Sequence, residues 1–463
     1  TFHNLKTDLK KTTSLILAST LVRTSEEKKK KKKKDSRKNK DISEFFAARI
    51  AGDAARTYEG TKKVALRDVE RMRDMVWEEW KKANAAADES RLPATGPLAE
   101  AADMSWDIPS ELEPDAVMPY VYGCKGESAE ARPFFIFLHG SGPKAQEWKT
   151  LKQIAAAYDD APSVYFIPQI PNEGEWYRWY QRGKQWAWER LLRQALLRDE
   201  IDADKVYFMG ISEGAYGSQR LASYYADYLA GAGPMAGGEP LVNAPAENLR
   251  NTAFVLRTGQ RDFGFYRNVL TRIAAIKLDS LQQLYPGHYD YMVELIPDAG
   301  HGINYMPTAP WLRKHKRNPY PKSVYWENFE MDGRYRDGFY NLYVDERSND
   351  DESQRTCYEM NINGNEVDVT VSLVKYEPSL VGNDFGFPIS LDFRKTYVPA
   401  TKGRFTVYLN DSLVDMSKEV TLRVNGREVF RGKVKPSLED MVNSCARYYE
   451  RARIYPASIK VEI

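Results

Sequence analysis

Cysteine is scarce in this 463-residue chain: Cys124, Cys357 and Cys445 stand far apart. Their spacings suit neither a zinc site nor a disulfide framework, and an odd count leaves one thiol over. Histidine is almost as rare, with His3, His139, His288, His301 and His315 the full set. No metal-ligand cluster is visible, so neither a metal nor another cofactor is expected. Long apolar runs are missing as well. None approaches the roughly 18 residues that span a bilayer as a helix, so no membrane span is expected. The chain also lacks an overall excess of one charge, with a net of +2, but that figure hides an asymmetry. Residues 1–40 hold 14 Lys+Arg against 4 Asp+Glu, and the remainder is net acidic. Nothing in that acidic body argues for nucleic acid as a partner.

The length implies two or three domains, and 29 Tyr, 18 Phe and 10 Trp supply ample core material. Residues 10–22 join two lysines to a short apolar stretch, which resembles a bacterial secretory signal. They lack an Ala-x-Ala cleavage site and do not lie at the extreme terminus. A periplasmic or secreted location is the expectation, with a cytoplasmic one the alternative. Seven consecutive lysines, Lys28–Lys34, repel one another and are expected to be disordered. They read as a solvated leader over residues 1–44, the alternative being a tail for nucleic acid or acidic membrane. Residues 45–104 read as a helical segment and linker. Leu66, Val69, Met72, Val76 and Trp80 fall on one helical face, expected to dock on the next domain. The Ala/Glu/Pro-rich stretch 84–102 reads as a spacer.

Between residues 105 and 318 short apolar runs alternate with helical stretches. Strands are expected at 118–123, 133–138, 163–168, 205–211, 252–258 and 291–296, and helices at 147–158, 183–199, 213–230 and 265–281. Near-continuous apolar strands alternating with helices imply a mostly parallel sheet covered on both faces, an α/β fold. Function in such sheets collects at the carboxyl ends of the strands. One of those ends organises the rest. In KVYFMGISEGAYGSQ, Lys205–Gln219, a strand runs into a Gly-x-Ser-x-Gly turn and then a helix, with Ser212 at the apex. So sharp a turn crowds its flanks, so only glycine fits two residues to either side, and the serine hydroxyl stands exposed above the sheet edge. Ser212 is therefore the candidate nucleophile; the plainer alternative is a capping serine in a Gly-rich loop.

Three more strand ends carry compatible chemistry. The segment FIFLHGSG, residues 135–142, offers backbone N–H groups of Ser141 or Gly142 which, with the N–H of Glu213, would make an oxyanion hole. Asp262 follows a strand in TGQRD and is placed to orient a histidine; alone, it is equally a turn residue. His301, flanked by glycines in DAGHG, is the candidate general base. Asp298 is the rival acid, three residues before His301 in the same turn.

The order Ser, Asp, His, each after its own strand, together with LHGSG, GISEG, TGQRD and DAGHG, resembles the α/β-hydrolase superfamily over residues 118–310. The resemblance is greatest to its bacterial carboxylesterase and predicted-peptidase branch, related to the dienelactone-hydrolase and prolyl-oligopeptidase types. It implies a serine hydrolase with Ser212 as nucleophile, His301 as base and Asp262 as acid. It also implies cleavage of small-molecule or carbohydrate-linked esters through an acyl-enzyme. A prolyl-oligopeptidase-like serine peptidase and an inactive binding protein on the same fold are the alternatives. Glu213 departs from the family, where a small or apolar residue is usual, and puts a carboxylate beside the nucleophile.

The aromatic run EWYRWYQRGKQWAW, residues 175–188, offers Trp176 and Trp179 as substrate-binding residues, although its helical spacing suits a core stripe equally. From residue 319 the helical period gives way to alternating strands, with a type I′ hairpin at Asn425-Gly426 and one helix over 437–449. The expectation is a β-sandwich-like accessory domain of about seven strands. VNGREVFRGKV is similar to the tail of some bacterial hydrolases. The domain is expected to dock on the hydrolase or on a second subunit as a homo-oligomer, with carbohydrate binding the alternative.

Overall fold

In the computed structural model, residues 38–39, 41–172 and 178–463 are described. The signal-like segment, the lysine block and Trp176 lie outside them. No helix among the described residues is long and apolar enough to cross a membrane.

Eight strands form the central sheet: β1 (Met104–Asp107), β2 (Val117–Lys125), β3 (Arg132–Leu138), β4 (Ser163–Pro168), β5 (Ile201–Ile211), β6 (Gly231–Met235), β7 (Ala253–Gly259) and β8 (Tyr291–Ile296). Their spatial order is β1-β2-β4-β3-β5-β6-β7-β8. All neighbours run parallel except that β2 is antiparallel to both β1 and β4. The middle strands are buried along almost their whole length, as Phe134–Leu138, Val164–Ile167 and Val206–Met209 predict for a sheet covered on both faces. That strand order, with its antiparallel second strand, is the α/β-hydrolase fold.

The helices between these strands are α3 (Lys144–Ala157), α4 (Arg182–Ala195), α5 (Glu213–Tyr224) and α6 (Arg267–Leu284), with a short α7 (Thr308–Leu312) after β8. Two strands escape the sequence pattern, β1 and β6. The sequence of β6, GAGPM, reads as a loop because it is rich in Gly and Pro. Its glycine at 233 is there for room: a Cβ would come within 2.5 Å of Thr308 and 2.9 Å of Leu312 on α7. The helix expected to reach residue 230 stops at Tyr224, and a 3₁₀ turn, Ala226–Tyr228, follows.

Ahead of the sheet lie α1 (Ile42–Ile50) and α2 (Val69–Ala86). Met72, Val76 and Trp80 of α2 do form a buried stripe, but it packs on Met441, Val442 and Cys445 of α8 (Leu438–Tyr448), not on the next domain in sequence. The stretch read as a spacer is strapped to the hydrolase sheet. Leu92 is buried in its core, Arg190 donates to the Ser90 carbonyl, and Cys124 N–H donates to that of Gly96.

The carboxyl-terminal region is a two-sheet sandwich as expected, with ten strands instead of about seven. Six strands make the first: β9 (Ser323–Asn328), β12 (Gln354–Asn363), β13 (Glu366–Asp384), β14 (Phe387–Pro399), β16 (Val420–Val424) and β17 (Arg427–Gly432). Four make the second: β10 (Gly338–Phe339), β11 (Leu342–Glu346), β15 (Arg404–Leu409) and β18 (Ala457–Glu462). Their inner faces share one core, including Trp326, Tyr358, Val369, Phe405, Val407 and Ile459. Asn425 and Gly426 have φ of 48° and 78°, the two left-handed residues a type I′ hairpin needs. Beyond residue 375, β13 pairs only with β14, so the two strands project as a free hairpin arm.

A buried ion network joins this region to the hydrolase sheet. Asp227 pairs with Arg336 at 3.0 Å and with Arg453 at 2.6 Å; Arg453 also holds Glu450. Glu450 meets Arg317 at 2.6 Å, and Arg317 reaches Asp204 of β5 at 2.9 Å. Arg317 and Arg453 are fully buried. Removing one member leaves an uncompensated interior charge. Arg453→Met is expected to destabilise the protein by about 3–5 kcal/mol. Urea unfolding of the variant beside wild type measures it; a midpoint unchanged within error contradicts the assigned role.

Candidate active site

Residues 210–214 take the sharp turn that their spacing implies. Ser212 sits between β5 and α5 with φ 57° and ψ −112°, a conformation costly for a residue with a side chain. Its flanks admit nothing larger than glycine: a Cβ on Gly210 would lie 1.9 Å from the Gly214 carbonyl oxygen, and one on Gly214 would lie 2.1 Å from that of Leu138. The N–H of Ser212 donates to the Met235 carbonyl at the end of β6, which anchors the strained residue.

Ser212, His301 and Asp262 come together although 89 positions separate the first two and 39 the last two. Ser212 Oγ lies 2.9 Å from His301 Nε2, and His301 Nδ1 lies 2.7 Å from Asp262 Oδ2. The second bond sets the tautomer. With its proton on Nδ1 and donated to Asp262, the ring presents a lone pair at Nε2 to the serine hydroxyl. His301 and Ser212 are accessible, whereas Asp262 is buried. Burial works against the charge on Asp262, but hydrogen bonds from His301 and Arg267 outweigh it and hold its carboxyl below the usual range. Arg267 occupies Oδ1 at 2.7 Å, leaving Oδ2 for the histidine. Asp298, the rival acid, is exposed and pairs with Arg261 at 2.6 Å.

The loop after β3 closes on the serine: a Cβ on Gly140 would stand 3.3 Å from the Ser212 Cβ. Ser141 and Gly142 continue this loop, Ser141 exposed and Gly142 half-buried. Glu213 opens α5, so its N–H is one of the free donors at a helix start, beside the serine. His139 is not part of the constellation. It is buried, accepts from the Ile170 N–H at Nε2, and is pushed down to about 4 by that burial.

Trp179 needs correcting. It is fully buried, its ring packs edge-on against His139, and its indole N–H donates to the His139 carbonyl at 2.9 Å. It props the loop after β3 from behind and offers no surface to a substrate. It stands in the turn before α4 and not on a helix, and the core reading is the right one.

Next to Glu213, the residue that follows Ser212, opens a cavity of about 300 Å³, which Ser212 and His301 do not themselves line. Glu213, Tyr216, Arg220 and Glu239 line its hydrolase side, and Phe387, Pro388 and Ile389 of the β13–β14 arm line the other. Sequence reasoning missed this second wall entirely. The arm tip is tied down over the start of α6: Asp384 accepts from the Phe265 N–H at 2.7 Å, and Ile389 and Leu391 pack on Leu270. Phe265 and Tyr266 both have left-handed backbones there, φ 52° and 59°. The arm base is fixed by Lys395, which meets Glu327 of β9 at 2.9 Å and Glu247 of the hydrolase at 3.1 Å. No short sequence signal marks such a contact.

No family model and no curated relative matches the chain. Solved structures similar to it include a thermostable esterase, 17% identical over 48% of this chain and 64% of that one, TM-score 0.35. That match spans less than two thirds of the esterase. A ferulic acid esterase is 14% identical over 46% and 98%, TM-score 0.35. A carboxylesterase from Mesorhizobium loti is 21% identical over 42% and 93%, TM-score 0.32. The strand order, not these similarities, identifies the fold.

Glu213 is the one acid of the site whose charge the fold opposes. Burial pushes its carboxyl up to about 7, the Glu239 carboxylate adds to this, and Arg178 and Arg220 resist it. An acid with a raised folded pKa keeps its proton while the unfolded chain releases one, so it lowers stability as pH rises from about 4.5 to about 7. Glu213→Gln is expected to match wild type below pH ~4.5 and to become the more stable protein above it. The gap should level off near pH 7 at the order of 3 kcal/mol. Denaturant melts of both proteins across this range measure it; a pH-independent gap contradicts the assignment.

Proposed function

We propose that the protein is a serine hydrolase that cleaves carboxylic esters of small molecules through an acyl-enzyme. The observation that carries this reading is the pair of hydrogen bonds joining Ser212 to His301 at 2.9 Å and His301 to Asp262 at 2.7 Å. Attack by Ser212 Oγ on the ester carbonyl transfers the hydroxyl proton to His301 Nε2. The imidazolium so formed is held by Asp262, whose own charge Arg267 sustains. His301 then protonates the leaving alcohol, and a water activated by the same ring clears the acyl group. The tetrahedral oxyanion forms beside the N–H of Glu213 and the loop of Ser141 and Gly142, whose backbone donors would stabilise it; one such donor is worth about 3 kcal/mol of barrier.

The arm covers one side of the cavity next to Glu213, which supports a small-molecule ester over a folded polypeptide. A fluorophosphonate probe should label wild type at Ser212 and leave Ser212→Ala unlabelled. Short-chain p-nitrophenyl esters should be turned over and peptide anilides should not. Asp262→Asn should lower kcat about 10⁴-fold with labelling much slowed. An intact wild type that neither labels nor turns over any ester overturns the reading.

A further inference from the structure

Glu213 lines the cavity beside the nucleophile and is only 7% exposed. Its carboxyl has no hydrogen-bond or ion-pair partner among the described residues. Its neighbours are already engaged. Arg220 pairs with Glu239 at 2.8 Å and lies over the Tyr180 ring at 3.8 Å, and Glu239 also accepts from Asn243 at 2.7 Å. A carboxyl that faces a cavity while the neighbouring donors are engaged elsewhere is an acceptor open to a donor that a ligand brings.

The surroundings restrict the donor. Arg178 and Arg220 place positive charge near Glu213, which disfavours an ammonium group; Glu213 and Glu239 together disfavour an anion. A neutral donor, such as a hydroxyl, suits both conditions. One side of the wall is apolar, with Phe265 and Leu270 of the hydrolase part and Phe387 and Ile389 from the arm, while Tyr180, Tyr216, Asn243 and Ser390 add polar groups elsewhere.

Building on the esterase reading above, we propose that Glu213 is a specificity residue, which accepts a hydrogen bond from a hydroxyl on an otherwise apolar substituent of the ester lodged between α5 and the β13–β14 arm. The accessory domain thereby takes part in choosing the substrate, because one wall of that cavity is its own. The hydroxyl belongs to the acyl or to the alcohol half of the ester, and matched substrates tell the two apart.

The test compares kcat/KM for ethyl ω-hydroxyhexanoate with ethyl hexanoate, and for ω-hydroxyhexyl acetate with hexyl acetate. In wild type one of the two pairs should favour the hydroxylated member about tenfold or more, the size expected for a hydrogen bond to a carboxylate. Glu213→Leu should bring that ratio to about one. Glu213→Gln, which keeps the volume and one acceptor oxygen, should retain part of it. A merely structural role would lower both members of a pair alike and leave the ratio untouched. Ratios near one for both pairs in wild type, or a preference that survives in Glu213→Leu, overturn the proposal. Fluorophosphonate labelling run alongside separates this from failure of the hydrolase reading. Labelled enzyme without hydroxyl preference sinks the inference alone, whereas unlabelled, inactive wild type sinks both.

Discussion

Three carboxylates and three guanidiniums in the middle of the molecule set the terms for everything around them. Asp204 and Asp227 come from the hydrolase half, and Arg317, Arg336, Glu450 and Arg453 from the segments that follow it. Neither half balances its own buried charge. Separating them would leave Asp227 facing no guanidinium and Arg453 facing only Glu450, a situation far worse than separating two apolar faces. The rings of Tyr228 and Tyr448 lie 4.3 and 4.6 Å from the Arg453 guanidinium and keep water from screening it. The accessory sheets are thus held in one orientation, because an ion network of this kind tolerates little sliding.

That fixed orientation matters at the other end of the same sheet. The arm can wall a cavity only if its base stays put, and Lys395 secures it by pairing with one carboxylate on each side, Glu327 and Glu247. Lys277 of α6 also meets Glu247, at 2.7 Å, so the helix under the arm tip and the arm itself share one anion. Charge pairing sets the position, and the packing of Ile389 and Leu391 on Leu270 then completes the contact.

Legibility in the sequence followed the range of the interaction. The turn at Ser212, the strand ends before Gly140, Asp262 and His301, and the hairpin at Asn425 were readable because each depends on neighbours within a few residues. Their mutual approach was readable only through chain order. Trp179 shows the opposite case: an aromatic run looks the same whether it faces a core or a cleft, and burial against His139 decides. The strand β6 hid behind glycines that make room for α7, a partner some 75 positions away. The arm hid completely, since its contact with Phe265 joins residues 119 apart and leaves no local pattern. Arg267, which occupies the second oxygen of Asp262, likewise carried no signal beyond being a helix-start arginine.

The arm also imposes an order on the making of the site. During synthesis the segment bearing Ser212, Asp262 and His301 emerges first, while Phe387 to Ser390 are still to come. Until they arrive, the flank of the nucleophile is an open trough with Phe265 and Leu270 bare along one side. A maturing copy therefore depends on its later half for the shape of this flank as much as for stability, and slow translation between the two halves would prolong the period when α5 stands beside an open trough.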